Sequence, residues 1–270
     1  MKISEIRKDS KLKLTGVYLK CASSSLLFFI IISLITVAQA KFANAIYNSF
    51  VLAVIQAILI LFHWILSYSI IANILDLTEG KTNSITEFIN ITFKSYVKYT
   101  KIGLKFLLKV LFPIIINILA AFYWIGTAVA KVNKVNFLCF NQNLIPLATF
   151  IWILSSLILV YYVLRYILVA YIYHDHPEMS EGEIIDTSRK LMHRNKLKFI
   201  LLLLSFLHYF LLAALILMIL HIFIEGQYLT PFMVFFYSVI RPYVIVAKAE
   251  FYRELEDVKI EKVKEKKEAV

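Results

Sequence analysis

The sequence predicts an all-α membrane protein with about six transmembrane helices, arranged in three hairpins that are each preceded by an amphipathic interfacial helix. Hydrophobic residues make up 60% of the 270-residue chain, and the mean hydropathy is +0.76. Soluble domains contain roughly 45–50% apolar residues. The apolar residues are also grouped in long stretches, separated by connections that hold most of the Lys and Arg. These observations exclude a soluble domain for most of the chain.

Six stretches are long enough to cross a bilayer. A spanning helix needs about 20 mostly apolar residues to cross about 30 Å of hydrocarbon, because its backbone polar groups must be satisfied within the helix. The predicted spans are Cys21–Ala40, Phe50–Leu75, Leu104–Ala130, Leu144–Tyr173, Phe199–Ile224 and Leu229–Ala249. The sixth is the least apolar.

The distribution of positive charge predicts the orientation of these spans, since Lys and Arg favour the cytoplasmic side. They are concentrated before the first span, in the connection after the second and in the connection after the fourth. The segment after the sixth span is dense in Lys and Glu. We therefore expect both termini and the two long connections to be cytoplasmic. On this topology Cys21 and Cys139 lie on opposite sides and are unpaired.

The formal net charge of +11 is compatible with two kinds of partner. A basic protein can bind nucleic acid through a positive face. Here the basic residues gather in particular connections rather than on one folded face. The predicted partner is therefore the lipid bilayer, with anionic headgroups at its cytoplasmic face, and no nucleic acid. An unidentified membrane protein partner is left open.

The first span has an alternative interpretation as a signal peptide. Val37-Ala-Gln-Ala40 resembles the small-residue site at which signal peptidase cleaves. The preceding segment of about 20 residues is long for a signal peptide and contains Glu5 and Asp9. We favour a retained transmembrane helix.

The two long connections share a design. Each contains a capping box, Ser84-Ile-Thr-Glu87 in one and Ser180-Glu-Gly-Glu183 in the other, 96 residues apart. The residues that follow form apolar stripes at helical spacing, which predict amphipathic helices in the headgroup plane. These stripes are Ile85, Phe88, Ile89, Tyr96 and Val97 in the first and Ile184, Ile185, Leu191 and Met192 in the second.

A looser third copy, Ile3–Leu19, suggests a three-fold internal repeat. The units lie near residues 1–75, 81–173 and 178–252, within a single polytopic membrane domain at 1–255, and residues 256–270 form a charged tail. Few residues are identical between copies. Chance similarity of interfacial connections is therefore an open alternative.

Several short motifs resemble one known family. They are Arg165-Tyr-Ile-Leu-Val-Ala-Tyr171, Asp175-His-Pro-Glu178, Ser188-Arg-Lys-Leu-Met192, Ser205-Phe206, Pro242-Tyr243, Ala249-Glu-Phe-Tyr252 and the N-terminal Ile3-Ser-Glu-Ile-Arg-Lys8. Together they resemble the bacterial integral membrane family of unknown function, domain of unknown function number 975. The resemblance covers most of the chain and implies a multi-helix protein of the bacterial cytoplasmic membrane with no established activity. The chain departs from the family pattern at His193-Arg194 and His208-Tyr209, where Gly and Gly-Trp are expected.

Four charged residues are the candidate functional residues: Arg165, Arg241, Asp175 and Glu250. An Arg inside a span costs about 2.5–3.5 kcal/mol on insertion scales, which favours a role in anion or headgroup contact. The alternative is that both arginines extend to the interface, Arg165 more easily than Arg241, which lies deeper and next to Pro242. The resemblance suggests that the two arginines meet near Glu250 and Asp175.

Other polar residues are interpreted as structural. His174-Asp175-His176 has the composition of a metal site, but no further ligands follow at recognisable spacing, so we predict a turn in which Asp175 caps or pairs with a basic neighbour. Polar residues within the spans (Gln56, His63, Asn117, His208 and His221) are expected to join neighbouring helices by hydrogen bonds. We predict no metal and no cofactor.

Two functions of different classes are compatible with these residues. The sequence contains no complete catalytic motif, so we do not expect an enzyme. The first hypothesis is a non-catalytic accessory, immunity-type or envelope-stress component that acts through lipid or partner contacts. The second is a permease or export component for a small or amphiphilic solute.

Overall fold

The computed structural model describes residues 2–45, 49–81, 86–132, 144–223 and 230–268, and within these ranges the chain is helical with no strand. Ten helices follow one another in the described residues. They are α1 (Ile3–Leu14), α2 (Tyr18–Ala45), α3 (Ser49–Thr78), α4 (Thr86–Val132), α5 (Ile145–Tyr166), α6 (Val169–Asp175), α7 (Glu181–Met192), α8 (Lys196–Leu204), α9 (Leu207–Phe223) and α10 (Thr230–Glu268).

Six stretches of these helices are long and apolar enough to cross a membrane, which confirms the predicted fold class. They are Tyr18–Ala38, Ile58–Thr78, Ser95–Thr127, Ile145–Asp175, Lys196–Ile222 and Pro231–Asp257. The fourth and fifth each consist of two consecutive helices, α5 with α6 and α8 with α9, separated by a turn of two residues.

The packed core lies at one end of the bundle. We call this the charged end and define it by Lys13, Glu79, Asp175 and Glu250, which lie there together. Its largest fully buried side chains come from six helices and the residues between them: Ile65, Ile70, Ile74, Leu75, Ile102, Leu168, Ile172, Ile184, Phe199, Phe206, Phe251 and Tyr252. Away from this end the helices expose large apolar side chains, as α4 does at Phe112, Ile118, Phe122 and Trp124. Such a surface is compatible with hydrocarbon rather than water.

Helix α1 packs on the bundle at the charged end. Its buried residues Ile6, Ser10 and Leu14 are spaced by four and face α10 and α8. The Tyr243 hydroxyl donates a hydrogen bond of 3.0 Å to the Arg7 carbonyl. The helix that the sequence predicts to lie in the headgroup plane is therefore anchored to the last span.

Helix α7 begins with the predicted capping box. The Glu183 amide donates to Ser180 Oγ (3.4 Å), and the Ser180 amide donates to Glu183 Oε2 (2.9 Å). The predicted stripe of α7 is buried against α4, α5 and α6. Ser188 Oγ donates to the Arg165 carbonyl (3.1 Å), one of the last four carbonyls of α5, which lack full partners within a helix.

The interfacial segment before the second hairpin differs from α7, because this segment and the span that follows it form one continuous helix, α4. The first capping box lies partly outside the described residues, since they do not include Ser84. Of the predicted stripe, Ile89, Tyr96 and Val97 are more than half exposed. No proline or glycine interrupts α4 before Gly103, so nothing separates the interfacial segment from the span.

Asn117 joins two spans, as the sequence predicts for polar residues in the membrane. Its Nδ2 donates to Ser155 Oγ and its Oδ1 accepts from Ser156 Oγ, both at 2.8 Å. Asn117 lies one turn after Pro113 and also donates to the Pro113 carbonyl. These bonds connect α4 to α5 within their membrane-spanning stretches.

Candidate functional site

The charged end contains an ion-paired cluster centred on Arg253 of α10. Arg253 donates to both oxygens of Asp175, from Nε to Oδ2 at 3.1 Å and from Nη2 to Oδ1 at 3.2 Å. It also donates to Glu79 through Nη2 and to Glu250 through Nη1, the latter at 3.5 Å. One guanidinium thus connects the C-terminal ends of α3 and α6 to α10, using the planar fork that suits carboxylates.

The end of α3 has the backbone geometry that presents Glu79 to this cluster. Gly80 has φ of +70°, a conformation that favours glycine. The Lys81 amide donates to the Asp76 carbonyl (2.9 Å) and the Gly80 amide to the Leu77 carbonyl (3.3 Å). This is a Schellman motif, which ends the helix and fixes the position of Glu79.

Two lysines complete the outer part of the cluster. Lys13 Nζ lies 2.7 Å from Glu250 Oε1, and Lys81 Nζ lies 2.5 Å from Glu79 Oε2. Burial alone would raise the pKa of Glu79, but hydrogen bonds from Lys81 and Arg253 hold that pKa below its ordinary value. The same bond to Glu79 raises the pKa of Lys81. Lys13 brings α1 into the network.

His174 contacts two carboxylates at once. Its Nδ1 lies 2.6 Å from Asp175 Oδ1, and its Nε2 lies 3.1 Å from Asp76 Oδ1. A neutral imidazole has a single N–H, so only the doubly protonated ring can donate to both oxygens. The side chain is 6% exposed. His174 therefore acts in this geometry as a further cation between α3 and α6.

The donor atoms of Asp76, Glu79 and His174 lie within 4.8 Å of one another, a set that could hold a metal ion. A cation there would have to displace existing contacts, because both His174 nitrogens face carboxylates and Glu79 is bound by Arg253 and Lys81. His176 does not join this set and instead faces Glu256 at 3.0 Å. The expectation that the site needs no metal stays a prediction.

Below the cluster, stacked aromatic rings join α3, α4 and α6. Tyr68 lies 4.4 Å from Tyr99 and 4.9 Å from Tyr173 between ring centroids, and Trp64 stacks on Tyr99 at 5.5 Å. Gly103 is buried against the indole of Trp64. These rings give the charged end a closely packed base.

Arg165 lies in a different place, a basic cleft between α5, α7 and the turn before α8. The cleft has a volume of about 600 Å³ and is lined by Arg165, Arg189, Lys190, His193, Arg194 and Asn195. Arg189 pairs with Asp186 at 3.6 Å on the surface. Among the residues that the structure describes, Arg165, Lys190 and Arg194 form no ion pair.

Arg241 lies in the interior of the bundle. Its guanidinium carbon is 3.9 Å from the ring centroid of Phe28 and 5.2 Å from that of Phe29. Within the described ranges, no hydrogen bond or ion pair to this side chain is present. Cation–π contact with α2 is thus the interaction that the described residues supply to it.

The structure brings together Asp175 and Glu250, two of the four candidate residues, through Arg253. The suggested meeting of Arg165 and Arg241 near these carboxylates is wrong, because Arg165 lines the basic cleft and Arg241 faces Phe28. Asp175 does pair with basic neighbours, as the sequence predicts. Arg253, Glu79 and Asp76 were not among the residues predicted from the sequence. The pair Glu250 and Arg253, three residues apart on one helix, was the available signal.

Comparison with known proteins gives the chain a family. The sequence model of a family described as "Protein of unknown function (DUF975)" matches residues 1–259. The chain belongs to this family. No curated protein and no solved structure matches it. For this DUF975 protein, the match confirms the resemblance and, by its own description, assigns no activity.

The motifs that carry the DUF975 resemblance include residues of both the ion-paired cluster and the basic cleft. Asp175 and Glu250 lie in the ion-paired cluster, next in sequence to His174 and to the buried Phe251. Arg165, Arg189 and Lys190 line the basic cleft. The cluster and the cleft are therefore the two candidate functional features of the DUF975 protein.

Proposed function

We propose that this DUF975 protein is a non-catalytic accessory, immunity-type or envelope-stress component of the bacterial cytoplasmic membrane, acting through lipid or partner contacts. Both termini and the two long connections are proposed to be cytoplasmic, so that the charged end faces the cytoplasm. The basic N-terminal segment and both basic connections contribute to this end, as expected from the distribution of positive charge.

The observation that carries the proposal is the pairing within the ion-paired cluster. Asp76, Asp175, Glu79, Glu250 and Glu256 each contact a basic side chain from an element that is distant in sequence. Carboxylates held in this way maintain the arrangement of helices. A general base, in contrast, needs access to a substrate proton. The cluster is therefore suited to fixing a surface for contacts.

Helix α1 supplies part of that surface. Its inner face is anchored to α10, whereas Leu12 is 61% exposed and Leu19, at the start of α2, is 82% exposed. Apolar side chains on an anchored, basic helix suit insertion between headgroups or against a partner helix. We therefore propose that these contacts are made at the charged end.

Site-specific photo-crosslinking in the native membrane tests the proposal. A benzoylphenylalanine residue replaces Leu12 at the charged end or, as a matched control, Ile222, which is 76% exposed at the far end. We expect a single near-stoichiometric protein adduct from position 12 and none from position 222. Mass spectrometry would identify the partner, and purification of the tagged partner should recover this protein. Recovery of uncrosslinked protein, or of self-adducts only, at both positions would overturn the accessory role.

The proposed topology is tested by labelling with a membrane-impermeant maleimide. Cys139 lies outside the described residues and is proposed to be external, whereas Cys21 is free and fully buried. A Cys21→Ser variant should label in intact cells as the parent does, and a Cys139→Ser variant should not. Labelling of the Cys139→Ser variant alone would reverse the topology.

The environment of Arg241 favours a second candidate function, a permease or export component for a small or amphiphilic anion. A guanidinium between aromatic rings, with no acidic partner in the described ranges, could receive an anion in transit. Arg241→Gln would then abolish anion-dependent efflux from proteoliposomes while Arg189→Gln would not. Equal efflux in both variants and in protein-free liposomes would exclude this function.

A further inference from the structure

We propose that the basic cleft binds the phosphate of an anionic phospholipid whose acyl chains lie along α5 and α8. This inference rests on the proposed function and specifies one of its lipid contacts. The cleft opens at the start of the fifth span, because Arg194 and Asn195 directly precede Lys196, where that span begins. A headgroup at this level is at the boundary between hydrocarbon and water.

The charge of the cleft favours an anion. Four of its six lining residues are Lys or Arg and none is acidic. Asp186 partly neutralises Arg189, but Arg165, Lys190 and Arg194 form no ion pair in the described part of the chain. Like charges converging on one cavity repel each other, and a phosphate oxyanion removes this repulsion while accepting hydrogen bonds from guanidinium groups.

Helix geometry alone does not account for this concentration of charge. The carbonyl end of α7 attracts cations, which explains Arg189 and Lys190 in its last turn. Arg165 belongs to α5, and Arg194 lies beyond α7. Three segments of the chain therefore direct positive charge into the same cavity.

The walls below the cleft favour a lipid over a free phosphate. On α5, Leu154, Ile158 and Tyr161 precede Arg165 at helical spacing and are 48%, 42% and 46% exposed. On α8, Leu197, Leu201 and Leu204 are 75%, 54% and 52% exposed. The two helices meet where Lys196 Nζ lies 4.6 Å from the ring centroid of Tyr161. Exposed apolar stripes thus lead from both walls to the cations, an arrangement that matches a headgroup joined to acyl chains.

Native mass spectrometry of the full chain in a neutral detergent tests the inference. The protein is titrated with phosphatidylglycerol, phosphatidylcholine or inorganic phosphate. The cleft variant is Arg165→Gln/Arg194→Gln, and the matched control Lys8→Gln/Lys20→Gln removes the same charge from exposed positions at the charged end. We expect the cleft variant to bind phosphatidylglycerol at least tenfold more weakly, and the control to remain within about twofold of the parent. Phosphatidylcholine should bind weakly and equally to all three.

Each alternative outcome overturns the inference in a distinct way. Equal losses in the cleft variant and the control indicate general electrostatic attraction. Inorganic phosphate that competes at equal affinity indicates a soluble anion site. Because Arg165 could be needed for folding, Lys190→Gln provides a second variant at an exposed position, with an expected loss of about threefold or more. If cleft variants retain lipid binding while crosslinking from position 12 persists, this inference fails and the proposed function stands.

Discussion

Arg253 and Asp175 form a two-point contact, Nε to Oδ2 and Nη2 to Oδ1, across 78 residues of sequence. Their side chains are 25% and 20% exposed. At this depth each charge depends on the other, because water cannot fully replace a lost partner. The same guanidinium holds Glu79 and Glu250, so its removal would leave three carboxylates without their shared cation.

Arg253→Gln is therefore expected to lower the free energy of unfolding by about 1–3 kcal/mol, less than the roughly 3–5 kcal/mol for breaking a fully buried pair, because the contact is partly hydrated. The stability of Arg253→Lys should lie between those of Arg253→Gln and the parent, since an ammonium keeps the charge but cannot reproduce the planar fork. Thermal unfolding in detergent, followed by tryptophan fluorescence, measures both. Lys2→Gln, which removes an exposed lysine 3.8 Å from Glu5, is the control and should leave the midpoint unchanged.

Acid should weaken the cluster through Glu79. Its pKa is lower in the folded chain than its ordinary value of 4.5, so its stabilisation is complete above that value and is lost as the pH falls through the folded pKa. Lys81, Arg253 and His174 are the cations that favour its ionised form. We expect the unfolding midpoint of the parent to fall more steeply below about pH 4.5 than that of Glu79→Gln. Superimposable pH profiles for the two proteins would show that Glu79 does not contribute.

Gly103→Ala should destabilise the aromatic base of the charged end. A Cβ at this position would lie 2.7 Å from Trp64 Nε1 and 3.0 Å from its Cδ1, and stacking on Tyr99 restricts movement of the indole. Overpacking of this kind costs about 1–3 kcal/mol. Gly182→Ala is the matched control, because nothing lies within 4 Å of its added Cβ in α7, and it should stabilise by up to about 1 kcal/mol. Equal changes of the unfolding midpoint in Gly103→Ala and Gly182→Ala would contradict the packing argument.

Ser180→Ala should weaken the start of α7. It removes the side-chain acceptor for the Glu183 amide, and loss of such a cap costs about 0.5–2 kcal/mol. Ser180→Asp should retain the parent stability because Asp is an equally good cap. Ser23→Ala serves as the comparison, since the Ser23 hydroxyl is exposed and, within the described residues, bonds only to a carbonyl of its own helix. Equal midpoints for Ser180→Ala and Ser180→Asp would argue against the cap.

A double-mutant cycle measures the bond between α4 and α5. Asn117→Ala and Ser155→Ala should couple by about 0.6–2 kcal/mol, the range for hydrogen bonds between membrane helices. The corresponding cycle of Asn117→Ala with Thr127→Ala should show no coupling, because Thr127 bonds to carbonyls of its own helix. Zero coupling in both cycles would mean that the contact contributes no net stability.

The candidate residues show which contacts the sequence predicted and which it did not. Asn117 and the capping box of α7 were predicted correctly, because each depends on local spacing or on the cost of a polar group in a span. The partners of Asp175 were not, since Arg253 lies 78 residues away and Glu79 is 174 residues from Arg253. Pairing over such separations depends on how the spans pack. The three-fold repeat and the retained first span stay predictions.

The sequence by itself determined the class and the order of elements of this DUF975 protein. Apolar length alone specifies six spans, since a bilayer of fixed thickness excludes unsatisfied backbone groups. Only the tertiary structure decided that α1 is anchored, that Arg165 and Arg241 are apart, and that Arg253 connects the ends of α3 and α6 to α10. The physical reason is that burial in lipid is a property of single segments, whereas charge pairing is short in range and requires the packed position of several segments at once.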